Sequence, residues 1–212
     1  MTKEETEDQE TMDTERDREK LYESLNMPLL FDKYDMKEVE VNDPGLERYI
    51  NLLPILLPHS GGTHANKRFK KEEVSIIERL INHMMRTEDF TGKKLKAYNV
   101  VRDAMDIIND RTDNNPVQIL VDAIENSAPR EETTQITYGG ISVPKAVDVS
   151  PCRRISLALS KISQGAVKAS YKNKKDISTC LAEELIMASR KDKNSFGVSK
   201  KEETERMAAS AR

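Results

Sequence analysis

Apolar residues recur at helical spacing in five stretches of the chain after residue 70. They lie three or four positions apart, which places them on one face of an α-helix. A further helix is predicted near the C-terminus, where Ser199 and Glu202 form an S-x-x-E capping box. The whole pattern predicts a mainly α protein, a bundle of about six helices. The five stretches are residues 74–85, 98–108, 117–124, 155–166 and 177–188.

Residues 27–58 are predicted to hold one shorter amphipathic helix. Asp43 suits its N-cap and Pro44 its first position, because the N–H that proline lacks would be unbonded there anyway. Residues 1–26 are polar and acidic, lack apolar periodicity over most of their length, and are predicted to be disordered. The remaining residues, 59–212, form the predicted helical body. Leu46, Ile50 and Leu53 would form the apolar face of the short helix.

Residues 134–149 depart from helical spacing and predict one protruding β-hairpin. β-Branched residues recur every second position on both sides of Gly139-Gly140, a dipeptide that tolerates the positive φ angles of a tight turn. Pro144 interrupts the second arm, which predicts a bulge or an unpaired edge there. The glycine pair matches neither the Walker spacing GxxxxGK[ST] nor the Rossmann spacing GxGxxG, so it does not indicate a nucleotide-binding enzyme.

The composition of the chain excludes several classes of function. Hydrophobic residues make up 37% of the 212 residues and charged residues 33%, and no apolar run approaches the length of a membrane span. The first ten residues lack the features of a signal peptide, so we expect a cytoplasmic protein. Neither the two cysteines nor the three histidines have metal-ligand spacing, and no acid, base and nucleophile converge. The sequence therefore predicts no enzyme, metal, cofactor, membrane or small-molecule substrate.

The charges are distributed unevenly along the chain. Residues 1–58 contain 16 acidic and 7 basic residues, a net charge of −9, whereas residues 59–212 have a net charge of +6. Within that body, residues 149–175 contain seven bases and no acid. An acidic N-terminal part followed by a basic body indicates a polyanionic partner.

The basic residues cluster where a polyanion could reach them. Arg153 and Arg154 occupy the first turn of a predicted helix, where the helix dipole disfavours cations unless an anion binds there. A helical body with several basic loops and few aromatic residues favours contacts to the backbone of structured RNA over stacking on single-stranded bases. The candidate RNA-binding residues are His64, Lys67, Arg68, Lys70, Lys71, Lys93, Lys94, Lys96, Arg153, Arg154, Lys161, Lys168, Lys172, Lys174 and Lys175.

Two other functions are compatible with the same residues. A helical protein-interaction scaffold would use the acidic N-terminus as a docking tail. A DNA-binding regulator would prefer duplex DNA to folded RNA. The charged faces could also be merely solvated.

Four segments together resemble the small-subunit ribosomal protein seven family, in its archaeal and eukaryotic style. They are HSGGTHANKRFKKEEVSIIERLINHMMRTE, TGKK, YGGISVPKAVDVSPCRRISLALSKISQGA and the ending CLAEELIMASR…SKKEETERMAASAR. They follow the order of the family and extend from about residue 59 to residue 212.

The resemblance implies a helical bundle with a β-hairpin between the third and fourth main helices. It implies a structural constituent of the small ribosomal subunit in the cytoplasm. Such a protein binds the 3′ major (head) domain of the rRNA, nucleates head assembly and contacts neighbouring small-subunit proteins. It lies near the exit-site tRNA and the mRNA exit path, with the hairpin reaching into that region: Tyr138, Gly139, Gly140 and Lys145.

The chain departs from the family in two places. Lys145 is the only base between Thr133 and Ser150, unlike the strongly basic hairpin of many bacterial members. Residues 1–26 are acidic, which does not favour contact with phosphates, and we expect them to face solvent or basic protein neighbours.

Overall fold

The computed structural model describes residues 29–87 and 90–212. Within these ranges the regular structure consists of six α-helices, three short 3₁₀ helices and one antiparallel hairpin, which confirms the predicted fold class. The predicted disordered extension, residues 1–26, lies outside the described residues. The 3₁₀ helices are Glu47–Tyr49, Thr63–Asn66 and Lys70–Glu73. The other elements are α1 Ile76–Met84, α2 Lys94–Thr112, α3 Pro116–Ser127, β1 Glu131–Tyr138, β2 Ile141–Asp148, α4 Pro151–Ser170, α5 Ile177–Ser189 and α6 Phe196–Ser210.

The helices pack around α5, which contacts α2, α3 and α4. Fully buried aliphatic side chains from these elements form one core, with Leu80, Met105, Leu120, Leu159 and Leu185 each 0% exposed. Helix α1 packs against α2 and α4, whereas α6 packs against α4 and the hairpin. The loop before α1 therefore lies beside the beginning of α4, and the C-terminus lies beside the hairpin.

The predicted start of α3 is confirmed by its cap. The side chain of Asn115 accepts a hydrogen bond from the backbone N–H of Val117 at 3.0 Å, and Pro116 occupies the first helical position. An N-cap oxygen of this kind binds one of the backbone donors that a helix leaves unpaired at its start.

The last helix begins earlier than its sequence predicts. Its N-cap is Ser195, whose hydroxyl accepts from the N–H of Val198 at 3.3 Å. The predicted capping box, Ser199 and Glu202, therefore lies inside α6 and caps nothing. Ser195 is favoured because its hydroxyl also donates to the buried carboxylate of Glu184 on α5, at 2.7 Å, a partner that local sequence cannot reveal.

The hairpin turns at Gly139 and Gly140, whose φ angles of 57° and 86° are both positive, as a two-residue turn requires. The strands pair one to one along their whole length, with Gln135 opposite Pro144, so the predicted bulge at Pro144 is absent. Alternate residues of an antiparallel strand direct their N–H groups away from the partner strand. The N–H of Ala146 does so, because it donates to the carbonyl of Ala211 at 3.3 Å. Pro144 lies two residues before Ala146, so its nitrogen also faces away from β1. The N–H that proline lacks therefore costs the hairpin no hydrogen bond between the strands.

The segment before α1 is mostly irregular and not the short helix that its sequence predicts. The 3₁₀ helix Glu47–Tyr49 is its only helical part within residues 29–58. Leu46 and Ile50 are buried in the same core as the helices, whereas Leu53 is 43% exposed. The hydroxyl of Tyr34 also donates to the carboxylate of Asp106 on α2, at 2.6 Å. Docking onto the bundle stabilises this segment in place of its own helical hydrogen bonds.

Candidate nucleic-acid interface

The loop over residues 59–75 presents basic side chains beside α1. Gly61 and Gly62 have φ angles of 61° and 78°, which glycine adopts at little steric cost and which let the chain turn sharply. Four bases follow in the loop. The first three form no ion pair or side-chain hydrogen bond with any residue of the described ranges: Lys67, Arg68 and Lys70.

A buried carboxylate joins this loop to the start of α2. Glu78 on α1 is 2% exposed, and its Oε1 accepts from Ser60 N–H at 2.9 Å, Ser60 Oγ at 3.0 Å and Lys94 Nζ at 2.7 Å. Burial alone would raise the pKa of Glu78, but Lys94 and the two Ser60 donors outweigh burial and hold the pKa below its usual value. Lys94, a predicted RNA contact, is therefore also a structural cation.

A cleft of about 450 Å³ opens between this loop, α1 and the start of α2. Besides Lys94, which pairs with Glu78, three cations line it, and we call it the basic cleft: Lys71, Arg79 and Arg86. Lys71 Nζ donates to the hydroxyl of Ser156 on α4 at 2.7 Å. Arg79 is 2% exposed and its Nη1 donates to the carbonyl of Tyr49 at 3.1 Å. None of the three cations forms an ion pair with a carboxylate of the described residues.

The basic cleft disfavours further positive charge. Burial, followed by repulsion from Arg79, lowers the pKa of Lys71. His83, 6% exposed on the same face of α1, has a pKa lowered to about 3, first by burial and then by Arg86, Lys71 and Arg79. Its imidazole is therefore neutral at physiological pH. His64 lines the same cleft and lies with its Nδ1 3.5 Å from Ser60 Oγ.

The two adjacent arginines at the start of α4 point to different partners. Arg154 is 8% exposed and its Nη2 donates to the Asp43 carboxylate at 2.8 Å, which fastens the N-terminal segment to the bundle. Arg153 makes two bonds to the Glu132 carboxylate on β1, at 2.8 and 2.9 Å. The sequence predicted that both meet phosphates, whereas the structure pairs both with carboxylates.

A groove of about 390 Å³ continues from the cleft along α4. Arg86 and His83 line both, and Lys168 lies at the far side of the groove. Lys168 Nζ also lies 4.1 Å from the centre of the Phe196 ring, a cation–π contact. Six other predicted bases lie on α4, in the loop after α4 and at the start of α2: Lys161, Lys172, Lys174, Lys175, Lys93 and Lys96.

These six bases differ in their surroundings. Lys175 Nζ is paired with Glu183 at 2.8 Å, and Lys96 Nζ lies 5.0 Å from the Phe90 ring centre. Lys172 Nζ lies 5.3 Å from the ring centre of Tyr171, the residue before it. Of the predicted RNA-binding residues, His64, Lys71, Lys94 and Lys168 thus line the cleft and the groove that continues from it.

The predicted hairpin site is separate from this depression. Gly139 and Gly140 form its tip, and Lys145 is exposed on β2 opposite Thr134. Ile141 is 69% exposed and Val143 46%. The side chain of Tyr138 lies outside the described part of the structure.

Other kinds of site find no support in residues 29–87 and 90–212. No three His, Cys, Asp or Glu side chains there are grouped as a metal ion requires. Cys152 and Cys180 are both free thiols. None of the helices described is both long enough and apolar enough to cross a bilayer.

Comparison with known proteins settles the family. A model of the family described as ribosomal protein S7p/S5e matches residues 46–212. The chain belongs to this family. The small ribosomal subunit protein uS7 of Methanothermobacter thermautotrophicus is 56% identical over 185 residues, 87% of this chain and 100% of that protein. The protein of the same name from Thermoplasma volcanium is 54% identical over 184 residues, again 87% and 100%.

These matches confirm the resemblance to the archaeal type, and they cover more of the chain than the sequence motifs did. The S7p/S5e match begins at residue 46, before the start expected near residue 59, and so includes the 3₁₀ helix that docks on the core. As a member of the S7p/S5e family, the chain is a structural ribosomal protein and not an enzyme.

The sequence analysis missed the two arginines of the basic cleft. Arg79 lies within a run of apolar residues and Arg86 follows the end of α1. A signal was present, because Arg79, His83 and Arg86 are spaced four and three residues apart and so share one helical face.

Proposed function

We propose that this S7p/S5e protein is a structural constituent of the small ribosomal subunit that binds the 3′ major (head) domain of the rRNA. Cations of the 59–75 loop and of the basic cleft neutralise backbone phosphates and hold RNA helices in one arrangement. Specificity comes mainly from RNA shape. By holding that arrangement the protein nucleates assembly of the head.

One observation carries this proposal. The protein has a formal net charge of −3, yet most bases around α1 form no ion pair with a carboxylate of the described residues, Lys94 with Glu78 being the exception. The bases without such a pair are Lys67, Arg68, Lys70, Lys71, Arg79 and Arg86. Uncompensated cations in an acidic protein favour an external polyanion. The alternative of a protein scaffold offers no reason for cations to gather without carboxylates.

The hairpin has a different proposed role. Its exposed Gly-Gly tip approaches the exit-site tRNA and the mRNA exit path, close to neighbouring small-subunit proteins. Lys145 is its only base, so we propose contacts made mostly by Ile141 and Val143 rather than by charge. This part rests on the family resemblance and on the exposure of those side chains.

A salt series tests the RNA-binding proposal. The protein is titrated with a transcript of the head domain between about 50 and 200 mM salt, and with an equal-length duplex DNA. If roughly 6–10 phosphates are contacted, RNA affinity should fall about 10³- to 10⁵-fold. Substituting alanine for Lys67, Arg68 and Lys70 together should reduce the salt slope by about three, since each phosphate contact contributes about one.

A matched control removes the same charge elsewhere. Alanine at Lys37, Lys193 and Arg206, three exposed bases outside the loop and the cleft, should change the slope less. Equal slopes in the two triple variants, or equal binding of RNA and DNA, would contradict the proposal. Preference for duplex DNA would support a DNA-binding regulator instead.

A further inference from the structure

Arg79 is a buried cation that forms no ion pair with a carboxylate of residues 29–87 and 90–212. Its side chain is 2% exposed, and its Nη1 donates to the Tyr49 carbonyl while Nη2 reaches the Ser156 hydroxyl at 3.4 Å. Its Nε is buried and has no hydrogen-bond partner. A buried guanidinium is strongly disfavoured unless an anion and hydrogen bonds compensate it. Within the described residues only neutral oxygens contact Arg79.

The groups around Arg79 increase the imbalance. Lys71 Nζ donates to the same Ser156 hydroxyl at 2.7 Å, so one neutral oxygen lies between two cations. Arg86 is exposed at the edge of the same cleft. The one carboxylate among the described lining residues is Glu78, and its Oε1 already accepts from Ser60 and Lys94.

We propose that the basic cleft binds a single phosphate group through Lys71, Arg79 and Arg86, and that one RNA phosphodiester enters the protein there. The inference rests on the proposed RNA binding and adds an internal site to it. An arginine fork matches two phosphate oxygens, and Lys71 supplies a point charge beside it. At about 450 Å³ the cleft also admits the atoms adjoining the phosphate.

Inorganic phosphate is the first probe, because its binding is measurable without RNA. Thermal unfolding of the full chain is followed with and without saturating phosphate, at ionic strength matched with chloride. A ligand that binds only the folded state raises the midpoint, here by about 2–4 °C or more. Lys71→Met should abolish this rise, whereas Lys37→Met, on an exposed residue far along the chain from the cleft, should preserve it.

Equal midpoint shifts in wild type and Lys71→Met, or no shift in wild type, would overturn the phosphate site. Arg79→Met belongs in the same series, but if it does not fold, Lys71→Met and Arg86→Ala still decide the question. Arg86→Ala should reduce the shift without affecting folding, because the residue is exposed.

RNA binding by the same variants separates the two possible sources of phosphate. Losing a hydrogen-bonded charged contact should lower head-domain RNA affinity about 10- to 100-fold in Lys71→Met and in Arg86→Ala. Tight RNA binding without a phosphate shift would overturn the cleft site and leave the proposed function standing. A phosphate shift without RNA binding would make the cleft a site for free phosphate and overturn the RNA proposal.

Discussion

The cations of the basic cleft and those at the base of the hairpin have opposite surroundings. At the hairpin, Arg153 pairs with Glu132 and Arg212 with Glu131, so positive charge is matched within the chain. In the cleft, Lys71 and Arg79 form hydrogen bonds only to hydroxyl and carbonyl oxygens among the residues that the structure describes. The difference teaches that a basic residue is a candidate RNA contact because of its missing carboxylate and not because of its charge alone.

The comparison predicts its largest effect for Arg154, the buried arginine that the sequence had assigned to RNA. Arg154→Ala leaves the Asp43 carboxylate, which is 19% exposed, without its cation, and losing this charge-assisted hydrogen bond costs about 2–3 kcal/mol. Urea unfolding should show this loss of free energy. RNA affinity, measured where the variant is fully folded, should stay within about twofold of wild type.

Lys70→Ala is the matched control for that experiment, since Lys70 has no partner among the described residues. It should change the free energy of unfolding by less than about 0.5 kcal/mol. The opposite result would be weaker RNA binding by Arg154→Ala with an unchanged free energy of unfolding. It would show that a cation paired with a carboxylate can still bind RNA, and so contradict the comparison.

A smaller effect is expected from His83, which reports on the cleft through pH. The pKa of His83 in the folded protein, about 3, is below the value of 6.5 that is usual for histidine in an unfolded chain, so its contribution to stability is complete above pH 6.5. That contribution is lost as the pH falls toward 3, because the unfolded chain then binds a proton that the folded chain does not. Between pH 7 and pH 5 the loss is about 2 kcal/mol.

Urea unfolding of wild type and His83→Gln at pH 7 and pH 5 measures this loss. The variant should lose less stability on acidification than wild type. An unchanged pH dependence in His83→Gln would show that His83 does not report the positive surroundings of the cleft.

Sequence predicted the parts of the fold that depend on neighbouring residues. Helical periodicity located five helices and a capping box indicated the sixth. Asn115-Pro116 marked the start of α3, and the Gly-Gly turn located the hairpin. The sequence-based prediction was wrong where a residue far away in the chain determines the local structure. Ser195 rather than Ser199 caps α6, because Glu184 on another helix accepts from Ser195.

The candidate site follows the same division. Composition alone identified the basic loop, but the partners of its residues come from distant positions. Lys94 pairs with Glu78, 16 residues away, and Arg154 pairs with Asp43, 111 residues away. Which cations remain uncompensated is therefore a property of the fold. The spacing of Arg79 and Arg86 shows that they share a helical face, but it does not show that they lack carboxylate partners.

The smallest effect is expected at the exposed pair Arg153–Glu132. The arginine side chain is 57% exposed, so water and salt screen the attraction even though two hydrogen bonds join the groups. A double-mutant cycle with Arg153→Ala and Glu132→Ala should give a coupling of about 0.2–1 kcal/mol. The RNA affinities of two single variants sharpen the comparison between hairpin base and cleft. Arg153→Ala should weaken RNA binding less than Arg86→Ala, although both variants remove one exposed arginine. The reverse order would place the RNA beside the hairpin base and would show that Arg153 exchanges Glu132 for a phosphate on binding.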